Sequence, residues 1–272
     1  MDRFFYFEGA NIELFFELTK YFVFLFFNFV CMLHKTRGIV LYSLPYNDTY
    51  AITLIYTEEF GRVSYLTSQS KSRKSKVPRS LFHPLAILDL EVEHQNLRDI
   101  QRIKEAEIHI PLVAILTDPL KSALGIFLAE LISKVIREEQ TNRLLFDFLL
   151  QSVQVLELTD VSSANFHLVF MIRLSRLLGF YPDATDYQKG MFFDMRNGTF
   201  TRQQPAHIHF LPPEESVVFF NLLRMSYENM SVFRFSGKER QAIIHRILEY
   251  YRLHLSDFPE IKSLEILHDV FS

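Results

Sequence analysis

The chain has 272 residues, of which 49% are hydrophobic and 15% aromatic, so it holds enough apolar side chains for one large domain or two ordinary ones. Such a composition excludes a chain that is disordered throughout. A single cysteine, Cys31, excludes an intramolecular disulfide and a zinc site built from several thiolates, and it fits a reducing compartment. The net charge of −3 is unevenly distributed, because residues 32–80 carry eight Lys/Arg against three Asp/Glu. This asymmetry predicts a basic face at one end of the molecule and an acidic body at the other.

Residues 1–31 hold ten of the 28 phenylalanines, and residues 21–33 are almost unbroken apolar sequence. Three interpretations stand: a membrane anchor within 12–33, a core helix, or an apolar leader translated from a mis-assigned start codon. We favour the third, with Met32 as the biological start. The apolar run covers only about 13 residues, whereas a membrane helix needs about 20. A signal peptide does not fit, because no small-residue cleavage site follows.

From residue 35 onward the pattern is typical of β-structure, with β-branched and aromatic runs separated by turn residues. Five short strands in about 75 residues, with one long connection between the third and the fourth, predict a closed barrel of the OB type. The predicted strands cover 38–44, 50–57, 62–67, 85–94 and 99–108.

The long connection is strongly basic. Residues 69–79, here called the cationic segment, carry five positive charges and no negative ones. Cations on a small β domain indicate contact with a polyanion, because Lys and Arg neutralise phosphates with little regard to sequence. The alternative is a solvated surface loop.

After Pro111 the spacing of the apolar residues becomes typical of α-helices, and five predicted helix starts carry capping signals. The second predicted helix runs from Asn142 to about Leu156, with a buried stripe of Leu144, Leu145, Phe148, Leu149 and Val153. The helix starts are Asp118-Pro119 (with an end near Glu139), Asn142, Ser162/Ser163 (closed by Gly179 and Pro182), Pro213 and Ser236.

A non-helical insert, residues 183–211, separates the third and fourth predicted helices and contains the hairpin signal Asn197-Gly198. The predicted fold class is therefore α+β: an N-terminal five-stranded OB-type barrel, then an all-α domain with a small β-hairpin insert. Phosphate-binding, dinucleotide-binding, zinc-protease and nucleophile-elbow motifs are all missing from the sequence, which predicts a protein that is not an enzyme.

Several short sequence segments, in the order in which they occur, resemble those of the bacterial recombination mediator family RecO. The N-terminal segments are Arg37–Leu41, Thr57–Arg62, the Ser/Lys/Arg-rich connection, Leu81–Leu85 and Leu97–Glu107. A second group, Phe170, Arg173, Leu174, Leu178, Gly179, Pro182 and Asp183, is similar to the end of a central helix in that family. The resemblance covers about residues 32–272.

This resemblance implies an OB domain at 32–110 and a helical domain at 111–272. It implies binding of single- and double-stranded DNA, strand annealing and, with RecR, help for RecA in replacing single-strand binding protein. It also implies a cytoplasmic, nucleoid-associated protein. The chain departs from the family in one respect: many members carry a four-cysteine zinc site in the insert, and residues 183–211 contain no cysteine. No cofactor is expected, and we interpret His207 and His209 as ordinary strand or loop residues.

The predicted DNA contacts are Arg37 and Arg62 on the barrel with Lys71, Arg73, Lys74, Lys76 and Arg79 of the cationic segment. Tyr42, Tyr50 and Tyr65 are candidates for stacking on bases. Family members engage the acidic, Phe-ended tail of single-strand binding protein, and the predicted contacts for protein partners are Arg173, Arg176, Arg240 and Arg246.

Two alternatives remain open from the sequence. One is a membrane-tethered helical interaction protein whose basic segment faces anionic lipid. The other is an RNA-binding protein with an OB fold.

Overall fold

A computed structural model describes Thr19 and residues 33–69, 76–95, 97–137, 140–159 and 163–271. The apolar leader, with the alternatives weighed for it, lies outside the described residues except for Thr19. Within the described ranges, eight strands and seven α-helices form a barrel, a helical layer and a small second sheet. The predicted α+β class is confirmed.

Four antiparallel pairings and one parallel pairing close the first sheet into a barrel in the strand order β1-β2-β3-β5-β4. The ring is closed because β1 also pairs with β4, so that Leu33 faces Glu93 and Ile39 faces Ile87. The β3–β5 pairing is parallel, with Ser64 opposite Ile100. The strands are β1 Leu33–Pro45, β2 Tyr50–Thr57, β3 Gly61–Ser68, β4 Ile87–Glu93 and β5 Ile100–Ile110.

Strands β1 and β2 are buried on both faces. Val40 and Ile55 point into the barrel core, whereas Ile39 and Tyr56 belong to the core shared with the helices. Burial on both sides explains why β2 reads as a continuous apolar run rather than as an alternation. The β1 strand needs Gly38 here, because a Cβ at that position would lie 2.6 Å from a methyl carbon of Ile55.

In the described residues after the barrel there are seven α-helices, and side-chain caps start three of them as the sequence predicts. Asp118 accepts from the Leu120 and Lys121 N–H groups, Asn142 accepts from the Leu145 N–H, and Ser236 forms a capping box with Glu239. The helices are α1 Val113–Thr117, α2 Pro119–Val135, α3 Arg143–Leu158, α4 Phe166–Leu177, α5 Pro213–Leu223, α6 Gly237–His254 and α7 Leu264–Phe271.

Four details differ from the prediction. Helix α4 begins at Phe166, after the 3₁₀ turn Ser163–Asn165, rather than at Ser162/Ser163. Helix α2 ends at Val135 rather than near Glu139. The short helix α1 and the C-terminal helix α7 were not predicted. Leu144 was assigned to the buried stripe of α3 but is 73% exposed, because it lies in the first turn, beside the exposed Arg143, where the helix is not yet covered.

The insert contains the predicted hairpin and one further strand. Phe192–Asp194 (β6) pairs antiparallel with Thr199–Thr201 (β7), and Phe210–Leu211 (β8) adds to the other edge of β6. Gly198 has φ +66°, a conformation that favours glycine in the turn between β6 and β7. The domain limits at 110 and 111 stay a prediction, since one continuous apolar core joins the barrel to the helices.

Candidate nucleic-acid interface

The turn between β1 and β2 is held rigidly by its own polar groups. The side-chain oxygen of Asn47 accepts hydrogen bonds from the N–H groups of Thr49 (2.9 Å) and Tyr50 (2.8 Å). The Tyr46 N–H donates to the Tyr50 carbonyl at 2.9 Å. This local network fixes the direction in which the side chains of the turn point.

Gln69, the first residue of the cationic segment, is tied to that turn. Its backbone N–H donates to the Thr49 carbonyl at 2.8 Å, and its side-chain amide donates to the carbonyls of Asn47 and Tyr50, each at 3.1 Å. The cationic segment therefore leaves the barrel directly beside the β1–β2 turn.

Exposed aromatic rings accompany the cationic segment at this end of the barrel. Tyr46 is 66% and Tyr50 is 41% exposed, and Leu44 lies beside them at 58%. Tyr65 was a predicted stacking residue, but it is fully buried in the barrel and cannot stack on a base; Tyr42 is half-buried against the core. The sequence missed Tyr46, although its position next to Pro45 and a turn Asn was a usable signal.

The two ends of the cationic segment are described, whereas Lys71, Arg73 and Lys74 lie outside the described residues. At the far end, the Lys76 carbonyl accepts the Ala106 N–H at 3.1 Å, which anchors the chain to β5. Lys76 Nζ lies 3.2 Å from Glu105 Oε2, yet its side chain is 73% exposed. Arg79 is also exposed, at the start of the 3₁₀ turn Arg79–Leu81.

Arg37 lies at the other end of the barrel and is bound by a carboxylate. Its Nε and Nη2 atoms donate to the two oxygens of Glu58 at 2.7 and 3.0 Å, and its guanidinium carbon lies 5.4 Å from the Phe146 ring centre. Arg143 at the start of α3 adds a second ion pair to Glu58 at 2.7 Å. The hydrogen bond from Arg37 lowers the pKa of Glu58, although burial opposes this. These contacts favour a role for Arg37 in docking the barrel on the helices.

Arg62 lies at the same end of the barrel as Arg37 but has a different environment. It is half-buried on β3 and, within the part of the chain that the structure describes, its Nε atom has no hydrogen-bond partner. It lines a polar cavity of about 620 Å³ that also contains His94, Arg98 and Gln101. Arg98 is exposed, and the sequence had not marked it as a site residue.

The predicted DNA contacts therefore fall into two groups. Arg62 lies near the start of β3 and the cationic segment begins after its end, at Ser68. At about 3.3 Å per residue, the length of β3 places Arg62 roughly 20 Å from the point at which the cationic segment leaves the barrel. The barrel has one end at which exposed tyrosines lie beside the start of the cationic segment, and one end at which a paired Arg37 meets the helices.

Comparison with known proteins connects this architecture to a family. The family model "Recombination protein O N terminal" matches residues 32–111, and "Recombination protein O C terminal" matches residues 116–265. A protein of Azobacteroides pseudotrichonymphae named DNA repair protein RecO is 57% identical over 240 residues, which cover 88% of this chain and 100% of the relative. This chain belongs to the RecO family of DNA repair proteins. RecO proteins of Phocaeicola vulgatus and Porphyromonas gingivalis are 46% and 36% identical, covering 89% and 88% of this chain and 100% of each relative.

The first pair of predicted partner contacts in this RecO-family chain lies one turn apart on α4. The guanidinium of Arg173 lies 5.2 Å from the Tyr227 ring centre, and that of Arg176 lies 4.1 Å from the Tyr181 ring centre. Arg176 is exposed and Arg173 is half-buried. Side chains three apart share one helix face, so both arginines are able to meet the same ligand.

The second pair, on α6, has different surroundings. Arg240 donates through Nη1 to the Phe235 carbonyl. Arg246 forms ion pairs with two carboxylates: its Nε lies 2.7 Å from Glu215 and its Nη1 lies 3.0 Å from Glu249. The hydrogen bond to Glu215 raises the pKa of Arg246. An arginine neutralised in this way attracts an acidic ligand less strongly than Arg176 does.

The insert of this RecO-family chain holds its histidines against carboxylates. His207 Nε2 lies 3.2 Å from Asp194, and His209 Nδ1 lies 3.7 Å from Glu249. Across the described ranges, His, Cys, Asp and Glu side chains do not gather in any group of three that could hold a metal ion. The helices of those same ranges include none with the length and apolar character needed to cross a membrane.

Proposed function

We propose that this RecO-family protein binds single- and double-stranded DNA at the β1–β2 end of its barrel and anneals complementary strands. The observation that carries the proposal is the hydrogen-bonded link between the exposed Tyr46/Tyr50 turn and the cationic segment through Gln69. Exposed rings at the point where a cationic segment leaves the barrel suit single strands, because bases stack on the rings while the cations neutralise phosphates.

The phosphate contacts in this proposal are Lys71, Arg73, Lys74, Lys76 and Arg79, and Arg62 extends the path toward the far end of the barrel. Phosphate contacts position a strand without reading its sequence. Annealing demands this property, because a protein that pairs arbitrary complementary strands must bind all sequences comparably. Binding depends on charge neutralisation and docking, and no bond is made or broken by the protein.

We further propose that the helical half, from residue 111 onward, carries the protein contacts of the mediator role in the cytoplasm. The acidic tail of single-strand binding protein would meet Arg173 and Arg176, whose guanidinium groups lie over tyrosine rings. Such a surface offers cations beside apolar area, as an acidic tail that ends in Phe requires. RecR would join the complex, and RecA would then replace single-strand binding protein.

A strand-annealing assay with the full chain tests the function. Two complementary oligonucleotides are mixed bare or coated with single-strand binding protein, and the rate of duplex formation is followed by fluorescence quenching. The proposal expects faster annealing in both cases, and expects an Arg173→Ala/Arg176→Ala variant to lose activity on coated strands alone. An unchanged spontaneous rate with bare strands would contradict it, as would preferential binding of RNA in a competition assay.

A further inference from the structure

Helices α5 and α6 enclose a groove that the proposed DNA and tail contacts leave unused. Its volume is about 520 Å³, and it is open along the surface between the two helices. Phe219 and Leu222 on α5 and Ile243 on α6 are buried at its floor, and the half-buried Val218 and Phe235 form its walls. An apolar groove between two rigid helices is the shape that accepts the apolar face of a third helix.

The rim of the groove is acidic. Glu214 and Glu215 lie in the first turn of α5, and Glu239 and Glu249 lie on α6. The rim also carries His245 and one full cation, Arg246. Because Arg246 is already bound by Glu215 and Glu249, the charge presented to a ligand is negative.

This charge distribution excludes an acidic ligand and selects a basic one. Like charges brought together at an interface are repulsive, whereas Lys or Arg placed over Glu214 and Glu239 would find exposed carboxylates. We propose that the α5–α6 groove binds a basic amphipathic helix from a protein partner, with its apolar stripe on the groove floor and its cations on the rim. The groove is thus a second protein-binding surface, opposite in charge preference to the Arg173/Arg176 face.

Synthetic helices test the proposal directly. The probe is a fluorescein-labelled peptide of about 18 residues, long enough to form a helix, with Leu at i, i+3, i+4 and i+7 and Lys on the other face. The matched controls replace Lys by Glu, or keep the composition and scramble the order. Fluorescence anisotropy with the full chain is expected to give saturable binding for the Lys helix, at least about tenfold tighter than for either control.

Site variants locate the binding. Ala242→Arg and Val218→Arg place a cation in the groove, and each should weaken binding of the Lys helix at least about tenfold. Ala242 is exposed, so that variant keeps its fold. The matched control is Val217→Arg, a neighbouring residue on α5 that does not line the groove and is 37% exposed; it should bind as the parent does.

Equal binding of the Lys and Glu helices would overturn the proposal, and so would an Ala242→Arg variant that binds like the parent. Sedimentation of the parent protein tests another occupant, a second copy of the chain. A dimer that Ala242→Arg dissociates and that the Lys helix does not disrupt would also overturn it.

Discussion

The two ends of the barrel show how cations of similar appearance in the sequence serve different purposes. At the β2–β3 end, Arg37 donates two hydrogen bonds to Glu58 and lies against Phe146 of α3. At the β1–β2 end, the exposed Tyr46 and Tyr50 lie beside Gln69, where the cationic segment leaves the barrel. Lys76, where that segment meets β5, has one loose ion pair and an exposed side chain. The first end is occupied by the protein itself, and the second is open to a ligand.

The difference lies in the carboxylates that each cation meets. The Glu58 carboxylate lies 2.7 Å from Nε of the half-buried Arg37 and neutralises its positive charge, so Arg37 attracts phosphate only weakly. An exposed ion pair contributes little stability and is readily exchanged for another anion. Substitutions at the two ends should therefore separate into effects on DNA affinity and effects on folding.

The largest effect is expected from the cationic segment. Replacing Lys71, Arg73, Lys74 and Lys76 with Ala should weaken single-strand binding at least about 100-fold near 0.1 M salt, because four phosphate contacts are lost. The slope of log K against log salt should become shallower by up to about 3. A control variant with the same change in charge, Lys189, Arg202, Lys238 and Arg252 to Ala, should bind like the parent. Equal losses in the two variants would show that net charge alone matters.

A smaller effect is expected from the tyrosines of the open end. Tyr46→Ala should weaken single-strand binding about tenfold, since base stacking contributes roughly 1–3 kcal/mol. Tyr46→Phe should retain the affinity, because the ring is kept. The salt slope should stay unchanged in both variants, as measured by anisotropy over a salt series. A loss of salt dependence in Tyr46→Ala would instead indicate that the turn positions the cationic segment.

Arg37 and Arg62 form a matched pair of substitutions. Arg62→Ala should weaken DNA binding about fivefold, the effect of one phosphate contact, with little change in the free energy of unfolding. Arg37→Ala should leave DNA affinity within about twofold and lower the free energy of unfolding by about 1–3 kcal/mol. Urea unfolding and DNA titration of the same preparations measure both quantities. The reverse assignment of the two losses would contradict the distinction between the carboxylate-bound Arg37 and Arg62.

The β2–β3 end of the barrel, here called the docked end because Arg37 meets the helices there, should also lose more stability in acid than the β1–β2 end. The pKa of Glu58 is lowered from 4.5 by the Arg37 hydrogen bond, so its contribution to stability is present above about pH 4.5. That contribution is lost as the pH falls through the lowered pKa of the folded state. Urea unfolding from about pH 6 to pH 3 should show a decline that Glu58→Gln makes shallower. The neighbouring Glu59→Gln serves as the control and should retain the decline of the parent.

Much of the fold was predictable because its signals are local. The caps at Asp118, Asn142 and Ser236 each lie within three residues of the N–H groups that they bind. The α1 helix has five residues and no cap from its own N-cap side chain; its Ala114 and Ile115 N–H groups donate to the distant Glu157 carboxylate, so its sequence carried no comparable local signal. The exposure of Leu144 depends on which helix turns are covered by the barrel, and periodicity alone does not contain that information.

The candidate site was less predictable because pairing is not local. Arg37 and Glu58 are 21 residues apart, and Arg246 and Glu215 are 31 residues apart. Counting charges in the sequence therefore cannot distinguish an arginine paired with a carboxylate from one that is open to a ligand. The burial of Tyr65 and the exposure of Tyr46 likewise follow from the orientation of each side chain on the closed barrel. The cationic segment could be recognised from composition alone, because its charges are contiguous in the sequence.

Site-specific photo-crosslinking tests the location of the DNA most directly. A photoreactive benzoyl-phenylalanine replaces Tyr46 at the open end or the exposed Leu144 at the docked end, and each full-length variant is irradiated with a labelled single strand. We expect a crosslinked product from position 46 that excess unlabelled strand removes, and background only from position 144. Crosslinking at 144 with none at 46 would contradict the assignment of the open end as the DNA-binding surface.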